Sequence, residues 1–267
     1  MNILLCVKQV PDTTEIKIDP DTNTLIREGV PSILNTFDGY ALEAAARVKD
    51  KNPETKIVVL SMGPPQAEAV LKECLAIAAD KAYLISGRSF AGSDTLATSY
   101  ILSNAVKKVE ELEGKFDAIF CGKQAIDGDT AQVGPELAEH LGLPQVTYAL
   151  ECDVQDNRLV VLKEGSDGNM RVAISFPCLV TFTKPSFDPR FPTIKRKLAA
   201  NRAQIPVLGD EAFSDIDKSR IGLKGSPTRV KRTFVPVQKK DGMIIQEENG
   251  EASALKLIQA LTDAQVI

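Results

Sequence analysis

The stretch Gly122-Lys123-Gln124-Ala125-Ile126-Asp127-Gly128-Asp129-Thr130-Ala131-Gln132-Val133-Gly134-Pro135 decides how this chain is read. It follows an apolar, strand-like segment at 117–121 and runs into a helix-like one at 135–141. In an open α/β sheet, ligands bind beyond the carboxyl ends of the strands. A glycine-rich turn full of capping residues at that place aims backbone N–H groups outward, at the positive end of a helix dipole, which suits a phosphate or pyrophosphate. Asp127-Gly128-Asp129 alone is equally compatible with an ordinary turn carrying an N-cap. The whole run, with a strand before it and a helix after it, is harder to dismiss.

Working outward, apolar runs at 3–7, 56–60 and 117–121 read as buried parallel strands, with a weaker fourth at 81–85. Helical spacing lies between them. Residues 37–48 place Tyr40, Ala41, Ala44, Ala45 and Val48 on one face; 65–79 open on a proline and carry Leu71, Leu75 and Ala78. Asp94-Thr95 is expected to cap a helix to Leu112 whose inner face is Leu96, Ile101, Leu102, Ala105, Val109 and Leu112. Strands alternating with such helices imply right-handed βαβ units in a doubly wound, mostly parallel sheet.

The pattern changes near 145. Residues 159–162 and 171–176 suggest a small antiparallel hairpin, and 177–182 a return to the main sheet. Residues 184–206 read as a long loop with one short helical piece. The expected division is an α/β nucleotide-binding domain at 1–206, then an extended C-terminal arm and helix at 207–267 suited to docking on another chain or packing on their own. In the terminal helix Ala254, Leu255, Ile258 and Leu261 share one side.

Hydrophobic residues make up 43% of the chain and charged residues 25%, with a net charge of −4, which fits a soluble globular protein and gives no general sign of nucleic-acid binding. No apolar stretch approaches the roughly 20 residues of a membrane span, and the first residues read as a strand, not a signal peptide. Cysteines at 6, 74, 121, 152 and 178 are odd in number and form no C-x-x-C, so a reducing cytoplasm is the simpler setting. His140 is the single histidine, near a helix end, read as a dipole partner or packed side chain; histidine metal centres are excluded.

No G-x-G-x-x-G or G-x-x-x-x-G-K-[ST] occurs. Contacts to an adenine nucleotide are expected instead from three strand ends: Cys6-Val7-Lys8, Met62-Gly63-Pro64 and the loop after Gly122. Asn35-Thr36-Phe37-Asp38 reads as a helix cap that also offers a ring and a carboxylate to a cofactor, and 9–13 is a turn bordering the same place. The second strong feature is Arg190-Phe191-Pro192-Thr193-Ile194-Lys195-Arg196-Lys197 and its continuation to Arg202. A charge run is usually a solvated face. An apolar Ile194 beside Lys195, Arg196 and Lys197 also suits a transient protein contact, with the anchor binding and the charges steering.

These words together resemble the electron-transfer flavoprotein β subunit. The likeness runs through 7–10, 35–46, 61–64, 122–134 and 177–197, and so covers nearly the whole chain. It implies the adenine-nucleotide-binding type of α/β fold and an obligate heterodimer with an α subunit that carries FAD on a mobile domain. It places a nucleotide against Cys6, Lys8, Asn35, Thr36, Phe37, Asp38, Met62, Gln124, Asp127, Gly128, Asp129, Thr130, Ala131, Gln132, Val133 and Gly134. Ile194 falls where the family presents its apolar anchor to acyl-CoA dehydrogenases.

Val10-Pro11-Asp12-Thr13 and 127–134 are similar to the electron-bifurcating branch, where the pocket takes a second FAD, exposed to NADH. Electrons then go one by one to the α-subunit flavin, serving a partner dehydrogenase such as an enoyl-CoA reductase, and to ferredoxin or flavodoxin. Gly128 and Gly134 would permit close backbone approach, and a helix beginning near Thr130 would favour the pyrophosphate. No residue need act as acid, base or nucleophile, because the cofactor supplies the chemistry. Alternatives are a plain carrier with AMP in the pocket, an ATP-binding stress or ligase-like domain, and a purely structural partner with an empty pocket.

Overall fold

The computed structural model describes residues 1–12, 31–231 and 242–267. Thr13 and the middle of the expected arm, 232–241, lie outside the described residues. The elements in order are β1 (Asn2–Val7), β2 (Gln9–Pro11), β3 (Ser32–Leu34), α1 (Thr36–Lys51), β4 (Lys56–Met62), α2 (Glu68–Ile77), β5 (Lys81–Ile85), α3 (Thr95–Glu113), β6 (Ala118–Gly122) and α4 (Val133–Leu141). They continue with β7 (Gln145–Gln155), β8 (Arg158–Lys163), β9 (Met170–Ser175), β10 (Cys178–Phe182), α5 (Ile194–Arg202), β11 (Val207–Leu208), α6 (Gly222–Gly225) and α7 (Gly250–Asp263).

Nine strands form one sheet in the order β11-β5-β4-β1-β6-β10-β7-β8-β9, parallel from β11 to β7 and antiparallel from β7 to β9. β2 and β3 make a separate antiparallel pair. The antiparallel hairpin expected at 159–176 is β8 and β9, and β7 runs on past its parallel partner β10 to carry it as an extension of the main sheet. The return strand expected at 177–182 is β10, seated between β6 and β7.

Side-chain alternation sorts the sheet onto two cores. Ile3, Leu5 and Val7 pack with Ala41, Leu42, Leu71 and Cys74 under α1 and α2. Leu4 and Cys6 pack with Ile101, Leu102, Val109 and Leu137 under α3 and α4. Two expected members of the α3 stripe miss this core: Leu96 and Leu112 are 42% and 56% exposed. They sit in the first and last turns of the helix. The cap is as expected, with Asp94 accepting from the Ala97 N–H at 3.0 Å.

Strand order reverses about β1: the chain moves outward to β4 and β5, then returns to place β6 on the other side of β1. The crevice beyond the carboxyl ends of β1 and β6 is thus the switch point at which open α/β sheets bind ligands.

Residues 207–231 differ from the extended arm anticipated after 206. Val207–Leu208 pairs with β5 at the sheet edge, and Phe213, Ile216 and Ile221 are buried in the α3–α4 core. The compact unit runs Met1–Lys231, and Arg232–Ile267 forms a second unit. The second unit holds α7, capped by the Asn249 side chain accepting from Ala252 N–H at 2.8 Å, with Leu255 and Ile258 exposed.

Candidate functional site

The end of β1 and the end of β6 are pinned to the first turn of α1 by one buried carboxylate. Asp38 accepts from the Lys8 N–H at 2.7 Å and from the Gly122 N–H at 3.1 Å. Burial pushes its carboxyl up to about 7 against the pull of those N–H donors and Asn35. Gly122 has to be glycine here. A Cβ would stand 2.3 Å from Asp38 Oδ1 and 2.8 Å from backbone atoms of Phe37 and Asp38. Asp38, expected as a cofactor contact, thus has both oxygens engaged by the protein's own backbone.

Asn35 is likewise inward. Its side chain makes no cap bond on α1. Its Nδ2 donates to Gln124 O at 2.8 Å, and its Oδ1 accepts from Ile126 N–H at 3.1 Å, so it props the loop 122–134 from beneath. Lys8 reaches across the crevice to Asp127, Nζ to Oδ1 2.6 Å, and Gln124 Nε2 donates to Asp129 Oδ1 at 2.7 Å. The loop is thus fixed by β1, by α1 and by itself.

Beyond Asp127 the loop opens. Among the described residues no protein acceptor takes the backbone N–H groups of Asp129, Thr130, Ala131 and Gln132. Ala131 holds φ 54°, an uncommon left-handed conformation for a residue with a Cβ. α4 begins at Val133, three residues after the expected start near Thr130, so these donors form the approach to the helix N-terminus. Free N–H groups before a helix start make an anion-binding concavity. A Cβ on Gly128 would meet nothing within 4 Å, leaving room for a ligand against the backbone. Gly134 is different: it is buried, its Cβ would lie 2.5 Å from Thr181 Cγ2, and it serves close packing of α4 on β10. A pyrophosphate fits this donor set, and an adenosine has the partly buried Met62 and Phe37 and the exposed Thr36 along the rim. Cys6 and Cys121, cross-strand neighbours on β1 and β6, are buried beneath it.

The basic run forms the one short helical piece expected within 184–206. α5 starts at Ile194, capped by Thr193 Oγ1 accepting from Arg196 N–H at 3.2 Å. Ile194 is 82% and Phe191 92% exposed. Lys195 and Lys197 are exposed too, but Arg196 is not a free charge. Its Nη2 donates to Leu75 O at 2.9 Å and Ala79 O at 2.8 Å, at the carbonyl end of α2. That position favours a cation through the helix dipole, so Arg196, expected as a partner contact, is engaged within its own chain.

Sequence reasoning passed over Glu43, which is buried on α1 and grips Arg190 through Nε to Oε2 at 2.8 Å and Nη2 to Oε1 at 3.0 Å. The available signal was a lone acid inside the apolar stretch 41–46. Between the Arg190 and Arg196 anchors, the Phe191–Ile194 bend is held outward. His140 packs edge-on against Tyr100 at 5.8 Å, and burial lowers its pKa.

With this geometry in view, the Electron transfer flavoprotein domain matches residues 22–212. The chain belongs to the electron transfer flavoprotein family. It is 49% identical to the electron transfer flavoprotein subunit beta of Megasphaera elsdenii, over the full length of both chains. It is 45% identical to the caffeyl-CoA reductase–Etf complex subunit CarD of Acetobacterium woodii, again over all of both. Protein FixA of Azorhizobium caulinodans is 43% identical, over 96% of this chain and 92% of its own. The chain is accordingly a β-type subunit whose function lies in electron transfer, in a family where β subunits pair with α subunits. No described helix is long and apolar enough to cross a membrane.

Proposed function

We propose that this subunit holds an FAD at the switch-point crevice and serves NADH-dependent electron bifurcation within a heterodimer. The observation that carries the reading is the open row of N–H donors at 129–132 leading into α4, on a loop fixed by Lys8 and Asn35. Backbone donors and a helix dipole stabilise the pyrophosphate without a counter-charge from a side chain. The bound FAD supplies hydride acceptance and one-electron transfer; the protein supplies position and electrostatics. Asp38 and Gly122 keep the two strand ends at a fixed separation, so the cradle is preorganised. Phe37 and Met62 border the adenosine end, and Gly128 leaves the loop backbone accessible.

On this reading the exposed side of α7, with Leu255 and Ile258, docks on the α subunit that carries the second flavin. Ile194, flanked by Phe191 and by Lys195 and Lys197, docks on a partner dehydrogenase such as an acyl-CoA dehydrogenase-like enoyl-CoA reductase, and ferredoxin or flavodoxin takes the low-potential electron. Support for a reductase partner comes from the CarD relative, which is named as a subunit of a caffeyl-CoA reductase–Etf complex.

The experiment is anaerobic NADH oxidation by the reconstituted heterodimer, with ferredoxin and an enoyl-CoA reductase added singly and together. Coupled reduction of ferredoxin only when both acceptors are present supports bifurcation. Uncoupled reduction of the dehydrogenase, with ferredoxin never reduced, rejects it in favour of the plain carrier with AMP in this crevice.

A further inference from the structure

We propose that Lys123, Tyr148 and Lys163 form a second anion site on the crevice wall, and that it receives the pyrophosphate of the nicotinamide dinucleotide that brings the hydride. The proposal rests on the NADH reading for the identity of its ligand.

The site is built by a defect in the sheet. Where β7 passes β10, the register slips between Val180 and Phe182, and against β8 it slips again between Ala149 and Glu151. Tyr148 sits at this bulge with φ 58°, a left-handed conformation that a bulky residue rarely adopts. Its backbone is tied down on both sides. The Tyr148 N–H donates to Thr181 Oγ1 at 3.2 Å, and its carbonyl accepts from Glu164 N–H at 2.9 Å. Backbone strain of this kind persists only where the surroundings enforce it, and it concentrates at functional sites.

Two ammonium groups converge on the ring that the bulge sets in place. Lys123 Nζ lies 4.8 Å and Lys163 Nζ 5.4 Å from the Tyr148 centroid, so they are no more than about 10 Å apart. Lys163 donates to Thr147 O and Thr147 Oγ1, each at 3.0 Å, which leaves it one further donor. Among the described residues neither lysine has a carboxylate partner. Two like charges on one ring repel, and the ring quadrupole offsets only part of that. A multiply charged anion meeting both relieves it.

The place of the cluster selects the ligand. Lys123 follows the last residue of β6, its N–H donating to Phe182 O at 2.8 Å, so the cluster shares the carboxyl rim with the loop 122–134. The loop serves its own phosphate with backbone N–H groups, and its Asp127 is neutralised by Lys8. The charge at Lys123 and Lys163 is therefore left for a second phosphate-bearing group entering the same crevice. NADH, presenting a pyrophosphate behind its nicotinamide, has that chemistry.

The test is calorimetric titration of NAD+ into the purified heterodimer with its cofactors in place. Lys123→Gln and Lys163→Gln are each expected to weaken binding about fivefold to tenfold, and the pair more, through loss of charge-assisted contacts. Flavin content stays at the wild-type level, and the salt dependence of NAD+ binding flattens. Inorganic pyrophosphate competes with NAD+ in the wild type and not in the double variant. Lys123→Gln breaks no side-chain hydrogen bond among the described residues, and Lys163→Arg, which keeps the charge, restores affinity. Unchanged NAD+ affinity in the double variant overturns the site, as does a wild-type heterodimer that binds no NAD+. Loss of flavin with unaltered NAD+ affinity also overturns it, by assigning the two lysines to the resident nucleotide. Counting flavins is a separate readout: two flavins with unaltered NAD+ affinity would sink this site and leave the proposed function standing.

Discussion

Replacing Arg190 with alanine tests whether the outward bend at Ile194 is held by a buried ion pair. The Glu43 side chain is only 6% exposed and that of Arg190 33%. Arg190 also reaches Asp50, Nη2 to Oδ2 at 2.6 Å and Nη1 to Oδ1 at 3.1 Å, but the Asp50 side chain is 60% exposed. The two halves of the network differ in worth. The Asp50 half behaves as a surface pair, worth about 0.2–1 kcal/mol. The Glu43 half matters more, because an unpaired buried carboxylate costs about 3–5 kcal/mol. Partial exposure of Arg190 lets water reach the gap, so a loss near the lower end, about 3 kcal/mol, is expected.

A double-mutant cycle with Glu43→Gln isolates the pair: the double variant should recover about 1–2 kcal/mol of the Arg190→Ala loss, because the charge left behind is gone. Urea unfolding of the four proteins, followed by circular dichroism at neutral pH, measures this. Electron delivery to a dehydrogenase should fall in Arg190→Ala with flavin content unchanged. A stability within about 0.5 kcal/mol of wild type, the range of an ordinary surface substitution, or a coupling energy near zero, would refute the reasoning.

Asp38 predicts a pH dependence. Its pKa is raised from 3.8 to about 7, so the folded state keeps a proton that the unfolded chain releases. Stability from this group is full below the unfolded value, declines as pH rises toward 7 and is level above it, a span on the order of 4 kcal/mol. Asp38→Asn should remove that slope between pH 5 and 7, and urea midpoints that fall equally with pH in both proteins would contradict it. Gly122→Ala should cost about 1–3 kcal/mol by forcing apart α1 and β6, measured as a lowered unfolding midpoint; no change would show that the contact yields freely. Gly128→Val should leave stability within about 0.5 kcal/mol yet lower flavin content after purification, and full flavin retention would count against the loop as the ligand's seat. Ile194→Ala should raise the KM for the partner dehydrogenase about tenfold or more, while NADH-driven reduction of the bound flavin is unchanged; an equal loss in both would remove Ile194 from recognition.

The central sheet was legible because its strands are short apolar runs buried on both faces, separated by helices with one apolar stripe. Asp94 could be read as a cap for the same local reason. What could not be read depended on distant partners. Arg196 looks like one more charge in a basic run until α2 presents its carbonyls. Glu43 and Arg190 are 147 positions apart. Gly134 resembles a ligand-facing glycine in sequence, yet its space is filled by a threonine methyl of β10. Asn35 and Asp38 fit a cap signature, and their side chains turn to brace the loop and join strand ends. Residues 207–231 are polar enough to suggest an arm, yet Phe213, Ile216 and Ile221 are buried in the body and Ser226 and Thr228 bond to Asp94 at the start of α3.

The most direct measurement is the cofactor inventory of the purified heterodimer, with FAD and AMP quantified after denaturation against protein concentration. Two FAD per heterodimer and no AMP is the result expected if the 129–132 donors hold a flavin dinucleotide. One FAD accompanied by one AMP would contradict it.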